Sequence, residues 1–247
     1  MIAHRGLPRN AQENTLQAFA RARDAGADGV ELDVRLAADG VPVVVHDADL
    51  ERVAGERARI DALTCAQLAA IPLAKGGSIP SLSAALEATR DMAVNVEIKS
   101  PREERATIRS AAADALVDAV IRAVDAAPGD RVLISSFDPF ALARVRLRRP
   151  RWFSALLFHP DQRLWLRRAG PAALIRPWAL HPHHELATPA AIARWRRRGF
   201  RVHPFTVDDP QRARELAAAG AAALITDEPE RLGDALRRRS DSRCRGR

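Results

Sequence analysis

Short apolar segments alternate along this chain with amphipathic, helix-like segments, and this alternation restricts the possible folds more than any other feature of the sequence. Successive strands that are joined by helices lie parallel in one sheet, because a parallel connection needs a crossover of a dozen or more residues. Eight such strands within 247 residues match the size of one closed barrel. We therefore predict a single-domain α/β protein with the (β/α)8 TIM-barrel fold. The predicted strands cover residues 2–5, 30–34, 94–99, 132–137, 153–158, 178–181, 201–207 and 223–226.

The segments between these strands carry the sequence signals of helix ends. Several of them have proline near the start or glycine just past the end, and both residues are favoured at those places. Gly26, Gly199 and Gly220 each follow a predicted helix. The predicted helices cover residues 15–25, 106–126, 139–148, 189–198 and 210–219.

One apolar run, residues 41–46, does not fit this alternation. The polar segment before it ends in Asp39-Gly40, is too short for a parallel crossover and is typical of a hairpin turn. We expect the second strand to extend beyond the barrel mouth and fold back, which returns His46 to the level of the acidic residues on that strand. Residues 48–80 then form a small insertion lobe above the mouth. The predicted organisation is one barrel domain at residues 1–236 and a basic, disordered tail at residues 237–247.

The net charge of +8 is the one feature of the composition that points to a polyanionic partner. The basic residues are almost all scattered arginines without interleaved aromatic residues, so we predict no nucleic-acid partner. Cys65 and Cys244 fit neither a disulfide scaffold nor a zinc site. No segment has the roughly 18 uninterrupted apolar residues of a membrane span, and the short start leaves no room for a signal peptide unless translation begins upstream of Met1. We expect a cytoplasmic protein without stable membrane insertion, and the sequence leaves its oligomeric state open.

Two of the predicted strands carry paired charges on a single face. Side chains alternate between the faces of a strand, so Glu31 and Asp33 point one way on the second strand, as do Glu97 and Lys99 on the third. Both pairs lie near the carboxyl ends of parallel strands, where barrels of this class have their active sites. Burying unpaired charges is costly, so this face indicates a site for a metal ion or an anion.

Motifs distributed over the whole chain point to one family. They are, in order, Ala3-His4-Arg5-Gly6, Glu13-Asn14-Thr15, Glu31-Leu32-Asp33-Val34, Asp39-Gly40, Val45-His46-Asp47, Asn95-Val96-Glu97-Ile98-Lys99, Ser135-Ser136-Phe137 and Thr226-Asp227-Glu228-Pro229. This series resembles the glycerophosphodiester phosphodiesterase family of the PI-phospholipase C-like barrel superfamily. The resemblance implies an enzyme that hydrolyses glycerophosphodiesters to glycerol 3-phosphate and an alcohol, using a divalent cation and two histidines.

The charged residues suit this chemistry on physical grounds. Glu31, Asp33 and Glu97 offer hard oxygen ligands, which favour one Mg²⁺ or Ca²⁺ over zinc. Arg5 and Lys99 are the candidates for binding the phosphate, Arg5 through its planar fork and Lys99 as a point charge.

His4 and His46 are the candidate acid–base pair, because histidine both accepts and donates protons near neutral pH. The sequence does not decide which of them is the acid. It also leaves open whether water or the glycerol hydroxyl of the substrate attacks first, the latter through a cyclic phosphate. For the rim that holds the glycerol we choose His181 and Phe205.

Other polar residues near these motifs receive structural interpretations. Asp47 is expected to orient a neighbour or cap a turn, Glu13-Asn14-Thr15 to begin a helix, and Asp227 to serve the structure. His183 and His184 are expected in a loop that faces the substrate, because they lack the spacing of a second metal site.

Two alternative functions remain at this stage. A phospholipase on a related barrel, acting on lysophospholipid or sphingolipid head groups, requires a membrane-facing apolar patch on residues 48–80. A non-catalytic phosphate-ligand binding protein requires a broken histidine pair, which the sequence does not show.

Overall fold

The computed structural model describes residues 1–9, 11–101, 111–129 and 131–244, and of residues 237–244 it describes the backbone alone. Its strands are β1 (Ile2–Ala3), β2 (Gly29–Leu36), β3 (Pro42–Val44), β4 (Asp49–Leu50), β5 (Glu56–Arg59), β6 (Ala93–Ile98), β7 (Val132–Ser136), β8 (Phe153–Phe158), β9 (Ala179–Pro182), β10 (Arg201–Val202) and β11 (Ile225–Thr226). Its helices are α1 (Leu16–Asp24), α2 (Glu51–Ala54), α3 (Cys65–Ala70), α4 (Leu82–Ala88), α5 (Ala111–Ala126), α6 (Pro139–Arg148), α7 (Leu164–Arg167), α8 (Ala172–Ile175), α9 (Pro189–Arg197), α10 (Pro210–Ala219) and α11 (Pro229–Cys244).

Eight parallel strands in the described part of the chain form a closed barrel. They are hydrogen-bonded in the order β10-β9-β8-β7-β6-β2-β1-β11. The two ends of this order meet, because the backbone N–H of Ala222 donates to the carbonyl of Val202 at 2.8 Å and that of Ile225 donates to Pro204 at 3.0 Å. The predicted α/β barrel and its eight strands are confirmed.

Helix starts are stabilised by capping side chains where the sequence predicted them. Thr15, Asp138, Thr188 and Asp209 each accept a hydrogen bond from a backbone N–H in the first turn of the helix that follows. Such caps typically contribute about 1 kcal/mol each.

Of the predicted helix at residues 106–126, the structure describes α5, and residues 106–110 lie outside the described residues.

Two hydrophobic clusters stabilise the molecule. The larger one fills the space between the barrel strands and the surrounding helices, and its fully buried members include Phe19, Leu32, Ile98 and Phe158. Burying one such side chain contributes about 1.5–3 kcal/mol. The smaller cluster lies in the inserted lobe and comprises Ala37, Val43, Val45, Leu50, Val53, Ile60, Leu68, Leu73 and Ile79.

The predicted hairpin is confirmed. β3 pairs antiparallel with the end of β2, with Val34 opposite Val44, and the N–H of Val45 donates to the carbonyl of Asp33 at 2.9 Å. Gly40 adopts a φ of 76° in the connecting turn, a left-handed conformation that glycine tolerates without steric cost. The return of the chain beside Asp33 places His46 next to the acidic residues of β2.

The inserted lobe follows this hairpin. Within residues 48–80 it contains the antiparallel ribbon of β4 and β5 and the helices α2 and α3. It also contacts the loop after β1, where the N–H of Lys75 donates to Oε1 of Gln12 at 3.3 Å.

The boundaries of the barrel domain and the disorder of residues 237–247 stay predictions. The backbone of α11 runs to Cys244, and residues 245–247 lie outside the described residues. None of the described helices is long and apolar enough to cross a membrane.

Candidate active site

Three buried carboxylates converge at the carboxyl ends of two adjacent strands. β2 and β6 pair in a register that sets Asp33 opposite Glu97, and Glu31 precedes Asp33 on the same inner face. One oxygen from each of the three lies within 4.8 Å of the others. The sequence prediction that Glu31, Asp33 and Glu97 share one point is therefore reproduced in the geometry.

Two cations lie against these carboxylates. Lys99 Nζ is 2.7 Å from Glu97 Oε1 and 3.6 Å from Asp33 Oδ1. Arg5 Nε is 3.2 Å from Asp33 Oδ2, and the backbone N–H of Arg5 donates to Glu31 Oε2 at 3.1 Å. With all three carboxyls ionised, the three carboxylates and two cations carry one formal negative charge.

Burial and the neighbouring charges shift the pKa values of Glu31 and Asp33 in opposite directions. Burial and the neighbouring charge of Asp33 raise the pKa of Glu31 to about 8. Burial acts in the same direction on Asp33, but Lys99 and Arg5 outweigh it and hold the pKa of Asp33 well below its usual value.

The carboxylate cluster suits a hard divalent cation. Glu31 Oε1, Asp33 Oδ1 and Asn95 Oδ1 are buried oxygen atoms that make no hydrogen bond among the described residues. Buried polar atoms normally have a partner. Oxygen donors together with a residual negative charge are what Mg²⁺ and Ca²⁺ bind in proteins.

His4 directly follows β1 and lines the same cavity as the carboxylates of Glu31 and Glu97. Its Nδ1 lies 2.8 Å from Asp227 Oδ1 at the end of β11. Asp227 is in turn held by Asp208, whose Oδ1 accepts from the backbone N–H of Asp227 at 2.9 Å. Burial would lower the pKa of His4, but the hydrogen bond to Asp227 and the charge of Glu31 raise it above its ordinary value.

His46 lines this cavity as well. Its Nδ1 lies 2.7 Å from Asp47 Oδ1. Burial lowers the pKa of His46, and Lys99 and Arg5 lower it further although Asp33 opposes them. Both histidines thus have Nδ1 on a carboxylate, which leaves Nε2 for a substrate and fixes the ring orientation.

A cavity of about 390 Å³ opens between these histidines and the opposite wall of the barrel mouth. Its lining includes His4, Arg5, Glu31, His46, Asn95, Glu97, Lys99, Phe137, Leu157, His159, His183 and Phe205. A larger cavity of about 630 Å³ lies between α8, α9 and the starts of β9 and β10, and no acid or histidine among the described residues lines it.

The opposite wall is made of rings. The Phe137 and Phe205 centroids are 5.9 Å apart and those of His159 and His183 are 4.4 Å apart, both in edge-to-face geometry. Phe205 therefore lines the cavity and His183 faces it as well, while the role of Phe205 in holding the glycerol stays a prediction.

The prediction that His181 contributes to this rim is wrong. The side chain is fully buried, and its Nε2 lies 3.1 Å from Nδ1 of His203. His181 and His183 project from the same face of the chain, but His181 lies two residues deeper in the barrel, so only His183 reaches the cavity.

Three contacts of the candidate site residues were missed by the sequence interpretation. Asn14 Nδ2 donates to Asp33 Oδ2 at 2.9 Å, and the N–H of Asp33 donates back to Asn14 Oδ1 at 3.2 Å. Glu13 accepts from the guanidinium of Arg5 at 3.0 Å. Asp227, interpreted as structural, is the partner of His4. The presence of Glu13, Asn14 and Asp227 within the motif series was the available signal.

Comparison with known proteins decides the family. The model of the glycerophosphoryl diester phosphodiesterase family matches residues 4–231. The chain belongs to this family. A glycerophosphodiester phosphodiesterase of Caldanaerobacter subterraneus is 30% identical to this enzyme over 96% of the chain and 98% of the relative.

Solved structures agree with this assignment. A phosphodiesterase of Oleispira antarctica in complex with the product sn-glycerol-3-phosphate is 26% identical, with a TM-score of 0.83 and coverage of 95% of both chains. A glycerophosphodiester phosphodiesterase of Thermotoga maritima is 28% identical, with a TM-score of 0.77 and coverage of 94% of this chain and 96% of that one. This chain is thus a glycerophosphodiester phosphodiesterase with a barrel fold.

Proposed function

We propose that this phosphodiesterase releases glycerol 3-phosphate and an alcohol in a reaction that requires one divalent cation, Mg²⁺ or Ca²⁺. Glu31, Asp33 and Glu97 would hold the cation, and His4 and His46 exchange protons with the reacting groups. The observation that carries this proposal is a cavity lined both by carboxylates of the cluster and by two imidazoles whose Nδ1 atoms are each held by an aspartate. The sn-glycerol-3-phosphate complex of the Oleispira antarctica relative supports the identity of the product.

Arg5 and Lys99 bind the non-bridging phosphate oxygens. Negative charge grows on these oxygens as the phosphodiester is displaced, so fixed cations stabilise the transition state more than the ground state. Asp33 contacts both cations, which limits their motion before the substrate arrives. When bound, a divalent cation would supply Lewis-acid stabilisation of the same charge.

The two histidines handle the protons. One imidazole accepts the proton of the attacking hydroxyl, and the other donates a proton to the departing alkoxide. With Nδ1–H on an aspartate, the neutral ring has a lone pair on Nε2 and the charged ring has an N–H there. The attacking hydroxyl is that of water or of the glycerol group of the substrate, the latter through a cyclic phosphate.

The ring-lined wall accommodates the rest of the diester. Phe137, His159, His183 and Phe205 offer mostly apolar surface and two imidazole nitrogens. This wall lies across the cavity from the carboxylates, where the groups attached to phosphorus extend.

The related-barrel phospholipase is disfavoured by the inserted lobe. Its leucine, isoleucine and valine side chains pack into their own cluster, and none of the exposed large hydrophobic residues in the described chain falls within residues 48–80. A non-catalytic phosphate binder is disfavoured because both histidines retain their aspartate partners. Cytoplasmic location remains a prediction.

The test is release of glycerol 3-phosphate from several glycerophosphodiesters, with EDTA and after addition of Mg²⁺ or Ca²⁺. We expect EDTA to abolish release, and one of the two ions to restore it. His4→Ala and Glu97→Ala should abolish release, while Glu87→Gln, an exposed substitution on α4, should leave it unchanged. Release that survives chelation and both active-site substitutions would overturn the proposal.

A further inference from the structure

Arg52 connects the inserted lobe to the barrel mouth. It lies on α2, the first helix of the lobe, and all three guanidinium nitrogens donate to carboxylates outside that helix. Nε donates to Asp47 Oδ2 at 2.6 Å, Nη1 donates to Glu13 Oε2 at 2.8 Å, and Nη2 donates to Glu13 Oε1 at 2.6 Å. The contact with Glu13 is bidentate, the geometry in which arginine binds a carboxylate most specifically.

Each of the two carboxylates is shared with a residue of the candidate active site. Asp47 uses its other oxygen, Oδ1, to hold Nδ1 of His46 at 2.7 Å. Glu13 Oε1 also accepts from Nη1 of Arg5 at 3.0 Å. One guanidinium therefore fixes both the carboxylate that orients His46 and the carboxylate that orients Arg5.

The position of Arg52 is set by the packing of the lobe. The next residue, Val53, is buried in the hydrophobic cluster of the lobe, and its carbonyl accepts from the backbone N–H of Ala74 at 2.8 Å. Gly55 ends α2 in the left-handed conformation, with a φ of 73°. A shift of the lobe relative to the barrel would therefore displace the guanidinium from Glu13 and Asp47.

We propose that Arg52 is a positioning residue, through which correct seating of the inserted lobe orients His46 and Arg5 for phosphodiester hydrolysis. This inference rests on the proposed roles of those two residues. The inference gives the inserted lobe a part in catalysis, although none of its residues, 48–80, lines the cavity.

The contribution of Arg52 to folding stability should be small compared with its contribution to kcat. About half of its side chain is exposed, so water partly screens its ion pairs, although the bidentate contact with Glu13 is screened less than a single surface contact. The orientation of a catalytic group has a larger effect, because its displacement by about 1 Å can lower the reaction rate by a factor of about 100. A positioning role thus predicts a loss of kcat that is much larger than the loss of stability.

Arg52→Gln and Arg52→Lys test this inference against Arg57→Gln. Arg57 lies in the same lobe and forms an exposed ion pair with Glu51 at 3.3 Å, so its substitution makes the same charge change away from the mouth. We expect Arg52→Gln to lower kcat about 10- to 100-fold, with Tm close to that of Arg57→Gln. Arg52→Lys keeps the charge but not the fork that spans two carboxylates, so it should restore only part of the loss. Arg57→Gln should leave kcat unchanged.

Combined substitutions identify the route of the effect. If Arg52 acts through Asp47 and Glu13, then Arg52→Gln added to the double variant Glu13→Gln/Asp47→Asn should lower kcat by less than about threefold more, because coupled residues are not additive. Full multiplication of the two effects, or a wild-type kcat in Arg52→Gln, would overturn the inference. His46→Asn distinguishes a failure of the proposed function from a failure of the inference about Arg52. If His46→Asn retains wild-type activity, the proposed function itself fails. If His46→Asn is inactive and Arg52→Gln is fully active, only the role of Arg52 is contradicted.

Discussion

The two halves of the barrel mouth differ in how their side chains are held. The charged half consists of His4, Arg5, Glu31, Asp33, His46, Glu97 and Lys99, and the ring half consists of Phe137, His159, His183 and Phe205. In the charged half, hydrogen bonds and ion pairs of 2.7–3.2 Å fix each histidine and each cation against a carboxylate. In the ring half, the rings pack edge to face with centroids 4.4–5.9 Å apart, and the carboxylates beside its two imidazoles are exposed. Asp161 Oδ2 lies 3.1 Å from His159 Nδ1, and Glu185 Oε2 lies 3.8 Å from His183 Nδ1.

This difference separates two tasks of a phosphodiesterase. Proton transfer and charge stabilisation depend steeply on distance and alignment, so they need side chains whose orientation is set by the protein. Fit of an alcohol group depends on shape and apolar contact, which tolerate small displacements. Substitutions in the charged half should therefore lower turnover, and substitutions in the ring half should change the binding of different diesters.

The sharpest test of this contrast exchanges histidine for asparagine on either side of the cavity. We expect His46→Asn to lower kcat by about 10²–10⁴, the usual contribution of a general acid or base. His159→Asn makes the same chemical change in the ring half and should lower kcat less than about tenfold. Steady-state kinetics with one glycerophosphodiester measures both variants, and equal losses would remove the distinction between the halves.

The charged half was largely predictable from the sequence because its residues lie on regular elements. Strand alternation puts Glu31 and Asp33 on one face, and parallel pairing then brings Glu97 beside them. The Asp39-Gly40 turn was sufficient to place His46 in the same site. Local pattern and strand pairing determine these positions, and both can be derived from the chain alone.

The partners of those residues could not be derived in the same way. Asp227 holds His4 across 223 residues of sequence, and Arg52 holds Glu13 across 39 residues. Such contacts depend on how the barrel closes and how the lobe docks, not on a local pattern. His181 fails for a related reason: strand alternation predicts the face of a side chain but not its depth, and depth decided between His181 and His183.

The second test concerns the burial of Glu31 and its repulsion by the other carboxylates of the charged half. The pKa of Glu31 is raised to about 8, above the ordinary value of 4.5. The folded protein therefore binds the Glu31 proton more tightly than the unfolded chain does. The resulting stability is fully present below about pH 4.5 and is lost as pH rises towards 8, with a slope of at most about 1.4 kcal/mol per pH unit.

We expect Glu31→Gln to remove this part of the pH dependence. Denaturant unfolding in EDTA between pH 5 and pH 8 should show a smaller decline in the free energy of unfolding for Glu31→Gln than for the wild type. Glu87→Gln, which removes an exposed carboxyl paired with Arg90, should leave the decline unchanged. If the free energy of unfolding changes with pH in parallel for the wild type and Glu31→Gln, then the raised pKa of Glu31 does not contribute to the decline.

The smallest effect is expected in the ring half, for Phe205→Leu. Phe205 contacts Phe137 and His183 edge to face, and aromatic pairs of this kind contribute about 0.5–1.5 kcal/mol beyond area burial. Loss of the ring should change KM about two- to tenfold, to different extents for diesters with small and bulky alcohols. Because no proton or charge of the reaction depends on Phe205, kcat should stay within about twofold. Phe140→Leu removes a half-exposed ring on α6 and serves as the control, since Phe140 does not line the cavity. A fall in kcat as large as that of His46→Asn would instead place Phe205 among the groups that orient the reacting phosphate.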